Sequence, residues 1–542
     1  NPPGEVTVEF SDGQKLNFKV TWDEEDIAKA EESIGDHKVS GVIADLLNTP
    51  VELDVNVYEF EAQVSILTNN GGWNWYVEPS GTHIESGDAL ATSFQSYYAS
   101  NKGYTFTKDR TYMGWVEDNG SVVVAQYDHD TKEYKRVVLH DRLEPDDHNN
   151  PAVIVLPDGR IMAWYSMHTN EPYMYYRVSK YPEDISEWHE EQYYYCQTNT
   201  QGDYSTYNAT YPTVFPVNTG GKDGEDRLYV FWRGVHWQPT IAQFTMPDEN
   251  GKCEVIMGQT QIANAAYSAN GKETGGEGTL RPYTKYDYDF ERGKIHVTFT
   301  YTHPDNAAQN PIYYFYINIA DQGIYTAKGR RIQDIPVEND HRYYKSYRNE
   351  KWGVTVQDWV DEYPELVVFD PKGEARRGWT WDIKVNEKGE PCIVYADITD
   401  QPPGPGETLP ESFPDTSEDR CHHYYWYARW DSETEEWVNT FLTYGGKWFH
   451  ENATQERCYS GGLTLDHNAP NANVVFLAKP TIGKYGNIFE IYRWESPDNG
   501  ATWPVELQTP ITQNSKINNA RPNAIYNYKM DENGNHQGPR IL

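Results

Sequence analysis

One theme recurs along most of this chain: a strand, a turn built on Gly, Asp or Asn, and a second strand. It starts at "YMGWVEDNGSVVVAQY" (residue 112), "PAVIVLPDGRIMAWYS" (151) and "PTVFPV…DRLYVFWRG" (212). It returns at "PYTKYDYDFERGKIHVTFTYTH" (282), "WDIKVNEKGEPCIVYADI" (381), "GGLTLDHNAPNANVVFLAK" (461) and, partially, "PNAIYNYKMDENGNHQG" (522). A two-stranded unit cannot bury both of its faces alone, so copies must pack on one another. Recurrence of such units without helical periodicity predicts an all-β fold, a β-propeller of seven blades. The outer strands "YRVSKYPEDISEW", "YARWDSETEEW" and "YRWESPDNGATW" repeat as well. The last contains Ser496-Pro-Asp498-Asn-Gly500-Ala-Thr502-Trp503, the turn called an Asp box, which we read as structural.

The first 60 residues differ. "EVTVEFSDGQKLNFKVTWD" and "HKVSGVIADLLNTPVELDVNVYEF" read as short strands and resemble a bacterial Ig-like domain, a small β-sandwich appended to secreted or cell-wall enzymes. The expected division is residues 1–62 for this module and 63–542 for a catalytic propeller. A chain that opens on Asn1 without a signal peptide is expected to be a mature or trimmed fragment, secreted or at the bacterial cell surface, with further domains of a larger protein among its partners. No run of about 18 apolar residues suggests membrane insertion. The five cysteines, Cys196, Cys253, Cys392, Cys421 and Cys458, are too scattered for a disulfide framework; pairing of Cys421 with Cys458 and free core thiols both remain open.

A net charge of −36 argues against nucleic acid as a partner. An anionic substrate would then require cations gathered at one place. The ends of the hairpins offer them. His148, Tyr211, Arg281 and Arg521 stand at the starts of first strands; His168, Arg233, His303 and Lys479 stand at the ends of second strands. In a propeller these positions ring one mouth of the central channel. Arginine can neutralise a uronate carboxylate with its bidentate fork, making the C5 proton acidic. Histidine suits the base that removes this proton, and tyrosine can protonate the departing O4. Hydrolysis would instead call for a carboxylate pair.

With "DDHNNPAVIVLPDGRIMAWYSMH", "YPTVFPV…LYVFWRG", "RPYTKYDYDFERGKIHVTFTYTHP", "WDIKVNEKGEPCIVYA" and "YSGGLTLDHNAPNANVVFLAK" in this order, residues 65–542 resemble the BNR-4 propeller family, which includes propeller-type ulvan lyases and rhamnose–glucuronate lyases. The resemblance implies a polysaccharide lyase that cleaves a uronic-acid polymer by β-elimination, with His148, His168, Tyr211 and Arg233 as catalytic residues and no cofactor required for the chemistry. Substrate contacts are expected from Asn149, Arg281, Tyr283, Tyr286, His422, Lys479 and Arg521. Tyr283 and Lys285 share one face and Tyr286 takes the other; the resemblance favours Tyr286 toward the funnel. His422 and His423 stand either at the cleft or at a blade edge. His236, Cys253 and His303 are the candidate ligands of a structural metal, zinc by their N/S chemistry, calcium being the other ion considered. Two other classes compete: a sialidase-like hydrolase, suggested by the Asp box although the Arg-Ile-Pro signature is missing and the nearest string is "RRIQDIP", and a non-catalytic carbohydrate-binding propeller.

Overall fold

The structure, a computed structural model, describes residues 5–57 and 110–524 apart from 10–14, 33–34, 45, 47, 118, 129–130, 132, 169–170, 197–208, 219–225, 235–236, 264, 266–279, 305–308, 336–355, 401–421, 448–459, 468, 485 and 517. The chain divides into two compact units, Asn1–Gln63 and Val64–Leu542.

In the first unit, Glu5–Glu9 pairs with Lys15–Lys19, and Thr21–Trp22, Gly35–Ile43 and Thr49–Val57 form a second antiparallel sheet. In the chain, a helix, Glu24–Glu32, lies between Thr21–Trp22 and Gly35–Ile43, and a reading in strands alone overlooks it. Its cause is local. Asp23 Oδ1 accepts the N–H groups of Glu25 (2.9 Å) and Asp26 (3.1 Å), and the acidic first turn complements the helix dipole.

The second unit is built of six antiparallel sheets among the described residues. Their first strands are Arg110–Val116, Ala152–Val155, Thr210–Asn218, Thr284–Asp289, Arg376–Val385 and Leu463–Leu465. Each pairs with the next strand in the chain and pairing continues outward in sequence order, except that Gln192–Tyr195 and Val367–Phe369 return to pair with the third strands of the second and fourth sheets. These six match the first six hairpin starts; the seventh, from 522, lies almost wholly outside the described residues. The turns form where glycine permits a left-handed backbone. In Pro157-Asp158-Gly159, Gly159 has φ +83° and donates its N–H to Leu156 O at 2.8 Å.

Apolar residues lie on both faces of the strands, so each sheet packs on two neighbours. One buried cluster joins the first and second sheets through Val122, Val124, Val153 and Tyr165. Another joins the second and third through Trp164, Val178, Val230 and Phe244. The third and fourth meet at Phe231, Tyr286 and Phe315, the fourth and fifth at Ile312, Tyr314, Ile383 and Tyr395, and the fifth and sixth at Tyr427, Leu465, Leu477 and Trp494. This sequential face-to-face packing of radial sheets is propeller construction. The Asp box lies in the sixth sheet and is a self-contained turn. Asp498 accepts from Thr502 N–H and Oγ1–H, both at 2.7 Å, while Trp503 packs on Tyr427. Cys196, Cys253 and Cys392 are buried free thiols; Cys421 and Cys458 lie outside the described residues.

A buried polar clamp ties three consecutive sheets. His467, just past Leu463–Leu465, approaches Asp382 of the fifth sheet at 2.9 Å and Asp287 of the fourth at 3.5 Å. Thr464 Oγ1–H and Leu465 N–H also donate to Asp382, at 2.6 and 2.9 Å. Burial alone would lower the imidazole pKa, but the two carboxylates outweigh it and push His467 up to about 9. A raised folded pKa adds stability that is complete below the unfolded value near 6.5 and is lost as pH rises through about 9. Urea midpoints should therefore fall between pH 6.5 and 9.5, by up to about 3 kcal/mol in unfolding free energy. In His467→Gln this slope should flatten; an unchanged slope would show that the His467 clamp contributes no pH-dependent stability.

Candidate active site

The residues at the ends of the second and third sheets converge. Asp146 begins the construction by capping the short 3-10 turn Asp147–Asn149, its Oδ1 accepting His148 N–H at 2.9 Å. The same carboxylate receives two imidazoles, His148 Nδ1 on Oδ1 at 2.5 Å and His168 Nδ1 on Oδ2 at 3.1 Å. The hairpin thus brings its two histidines face to face, rings stacked at 3.7 Å with 9° between planes. Glu144 ties down the chain on both sides of this pair: its Oε2 accepts His168 N–H at 2.7 Å and the Asn149 amide at 2.8 Å. Asn149, expected to touch substrate, is fully buried and holds this loop instead.

The third sheet supplies the cation. Arg233 ends the strand Asp226–Arg233 opposite Thr210, and its Nε donates to Thr210 Oγ1 at 3.1 Å. Its Cζ lies 4.7 Å from the Tyr211 ring centroid, 4.6 Å from Trp237 and 4.9 Å from Tyr283, so three aromatic rings confine the guanidinium. Tyr211 lies 5.2 Å from His148, ring to ring, and adopts φ +58° at an irregularity in strand pairing. A left-handed backbone at a bulky residue is strained, and such strain is held at sites where a side chain must be aimed.

Hydrogen-bond chemistry fixes the protonation pattern. Arg233 Nη2 lies 3.4 Å from His168 Nε2, and arginine only donates. His168 Nε2 is therefore the unprotonated nitrogen, and Nδ1–H donates to Asp146. Burial, the adjacent His148 and the Arg233 charge outweigh the pull of Asp146 and lower His168 to about 4. The neutral ring is thus the working form above that pH. Burial tends to raise Asp146, but hydrogen bonds and charge from both histidines hold it well below the usual carboxylate range.

Not every expected contact joins this group. Tyr283 does, packing 5.9 Å from Tyr211 and 5.5 Å from His303. Tyr286 does not: it is buried between the third and fourth sheets, 4.5 Å from Phe231. The preference for Tyr286 over Tyr283 is therefore reversed. Alternation established that the two differ in face but carried no information on which face met the funnel. Lys479 turns outward within its own sheet, donating to Gln508 at 2.5 Å over the Tyr492 ring. His422 is buried in the fifth sheet with Nδ1 2.9 Å from Tyr444 Oη, and Arg521 donates its N–H to Gly461 O at 2.5 Å, with φ +56°. Arg281 reaches the site through Trp237, 4.7 Å from its ring centroid.

Of the expected metal ligands, Cys253 belongs to the apolar cluster between the second and third sheets, whereas His303 packs on Tyr283 and Trp379; His236 lies outside the described residues. The donor set that could hold an ion among the described residues is Asp146, His148 and His168, with ligand atoms within 4.8 Å of one another. Asp146, Glu144 and Trp237 were not singled out from sequence. The pattern Asp146-x-His148 carried a signal for the first, since a carboxylate two residues before a histidine can cap its turn.

Residues 110–444 match the family described as "BNR repeat-containing family member". The chain belongs to the BNR repeat-containing family. Residues 1–46 of this family member match the bacterial Ig-like domain (group 4). No protein of curated function matches it. Similar solved structures include an ulvan lyase of a new polysaccharide lyase family bound to -[GlcA(1-4)Rha3S]-, at 14% identity over 81% of this chain and 91% of that chain, TM-score 0.48. An α-L-arabinanase of Penicillium chrysogenum with arabinobiose is 14% identical over 70% and 84%, TM-score 0.34. AofleA from Arthrobotrys oligospora is 10% identical over 82% and 95%, TM-score 0.32. Among the described residues of this BNR-repeat chain, no helix is long and apolar enough to cross a membrane.

Proposed function

We propose that the chain is a secreted polysaccharide lyase that cleaves a uronic-acid polymer by β-elimination and leaves a 4,5-unsaturated uronate. The observation that carries this reading is the 3.4 Å approach of Arg233 Nη2 to the unprotonated Nε2 of His168, whose other nitrogen is anchored on Asp146. A carboxylate taking the Arg233 fork would draw this donor away and release the His168 lone pair beside C5. The base is then free only when substrate is present. His168 removes the C5 proton, the C–H electrons form the C4–C5 double bond, the C4–O4 bond breaks, and Tyr211 gives its proton to O4. Charge accumulating on the carboxylate is met by Arg233, which is buried among three aromatic rings.

The hydrolase reading needs two carboxyl groups free to flank a glycosidic bond. Asp146 is occupied by two imidazoles and Glu144 by Asn149 and the His168 backbone, which favours elimination. Ulvan and rhamnose–glucuronate side chains such as those of gum arabic are the first polymers to assay. With an active polymer, kcat/KM should rise with pH through about 4, where free His168 loses its proton, and then level off. An acid limb centred above pH 6 would assign the base elsewhere. His168→Ala should remove turnover while near-UV circular dichroism stays native; an active His168→Ala enzyme would sink the proposed base.

A further inference from the structure

Among the described residues, Arg281 is a cation without a carboxylate partner. Its backbone N–H donates to Thr302 Oγ1 at 3.2 Å, which fixes the residue just before the strand Thr284–Asp289. The guanidinium lies over Trp237, and its Nε is buried without a hydrogen-bond acceptor among the described residues. The chain has 82 acidic residues against 46 Lys and Arg. Arginines elsewhere use them: Arg110 pairs with Asp128, Arg330 with Glu365 and Arg376 with Asp397. Arg281 has no such ion pair among the described residues, although opposite charge is abundant.

Its guanidinium shares an aromatic ring with another cation. Arg233 Cζ lies 4.6 Å from the Trp237 centroid and Arg281 Cζ 4.7 Å from the same centroid. A ring quadrupole attracts and orients guanidinium groups but does not cancel their charge. Trp237 itself holds φ +63°, a strained conformation that places its indole here, edge-on to His168 at 5.8 Å. Two like charges held on one indole repel, and an anionic ligand relieves that repulsion. Arg233 is already assigned to the uronate carboxylate.

We infer that Arg281 and Trp237 form a second anion subsite, which binds a sulfate ester or carboxylate on a sugar next to the uronate that is cleaved. The inference rests on the lyase reading for the placement of that uronate. The preferred substrate is then a polymer with two anions within the span of neighbouring sugars. Arg281 serves binding and selectivity, and takes no part in proton transfer.

The test is equilibrium binding by calorimetry, with ulvan, chemically desulfated ulvan and polyglucuronic acid as probes. Binding is read independently of turnover, so a wild type that binds without forming unsaturated product defeats elimination and leaves this subsite to be judged. Arg281→Gln should lose at least tenfold in affinity for a doubly charged polymer and at most threefold for desulfated ulvan. Loss on ulvan alone identifies a sulfate, whereas loss on polyglucuronic acid identifies a carboxylate. Arg281→Lys, which keeps the charge and a simpler hydrogen-bonding head, should recover part of the affinity and guards against misfolding of the Gln variant. Equal losses on all three polymers, no loss on any, or no binding of any by the wild type would overturn the inference.

Discussion

Asp146→Asn should lower kcat by on the order of 10³-fold or more while leaving the fold intact, an effect like that of neutralising the buried aspartate of a catalytic triad. The reason lies in counting donors and acceptors. Asp146 offers an accepting oxygen to each imidazole, at 2.5 Å for His148 and 3.1 Å for His168. Asparagine offers one acceptor and one NH2 donor. Whichever histidine faces the NH2 must turn its Nδ1 into an acceptor and move its proton to Nε2. If that histidine is His168, the lone pair needed for the C5 proton is gone. If it is His148, the stacked partner changes tautomer and loses its 2.5 Å anchor. Steady-state kinetics with a thermal-denaturation control read the outcome, and near wild-type turnover would show that Asp146 is only a turn cap.

Arg233→Gln should cost about 10³-fold in kcat/KM, chiefly in kcat, because carboxylate charge grows as C5 is deprotonated. Arg233→Lys should recover only part. Lysine restores a positive charge but not the bidentate fork, nor the Nε–H that donates to Thr210 at 3.1 Å. It also stacks less well in a pocket whose three ring centroids lie within 4.9 Å of the guanidinium. A loss confined to KM would mean that Arg233 holds ground-state substrate without assisting the chemistry.

Why does the His148–His168 pair stand out in sequence more plainly than Asp146? A hairpin rejoins its ends by geometry, so residues flanking "PAVIVLPDGRIMAWYS" meet whatever their chemistry. The approach of Tyr211 and Arg233 follows likewise, because Thr210 pairs with Arg233 across one hairpin. Asp146 depends on a three-residue 3-10 turn folding back beneath two rings, and no periodicity announces such a turn. Tyr286 and Lys479 show the complementary failure. Strand alternation sorts residues into two faces, but burial between sheets decides which face is interior. The helix Glu24–Glu32 was hidden for another reason: its nine residues lie between strand patterns and depend on the Asp23 cap. Trp237 follows the second strand of its sheet, where no pattern fixes side-chain direction.

Elimination and hydrolysis differ in one product feature. Each cut by β-elimination yields one new reducing end and one conjugated, ultraviolet-absorbing unsaturated uronate. The decisive measurement is the ratio of that absorbance to new reducing ends, followed together with a uronate polymer and the intact protein. β-Elimination gives a constant molar ratio of one throughout the reaction, with both signals lost in Arg233→Gln. Reducing ends formed without the chromophore would contradict it.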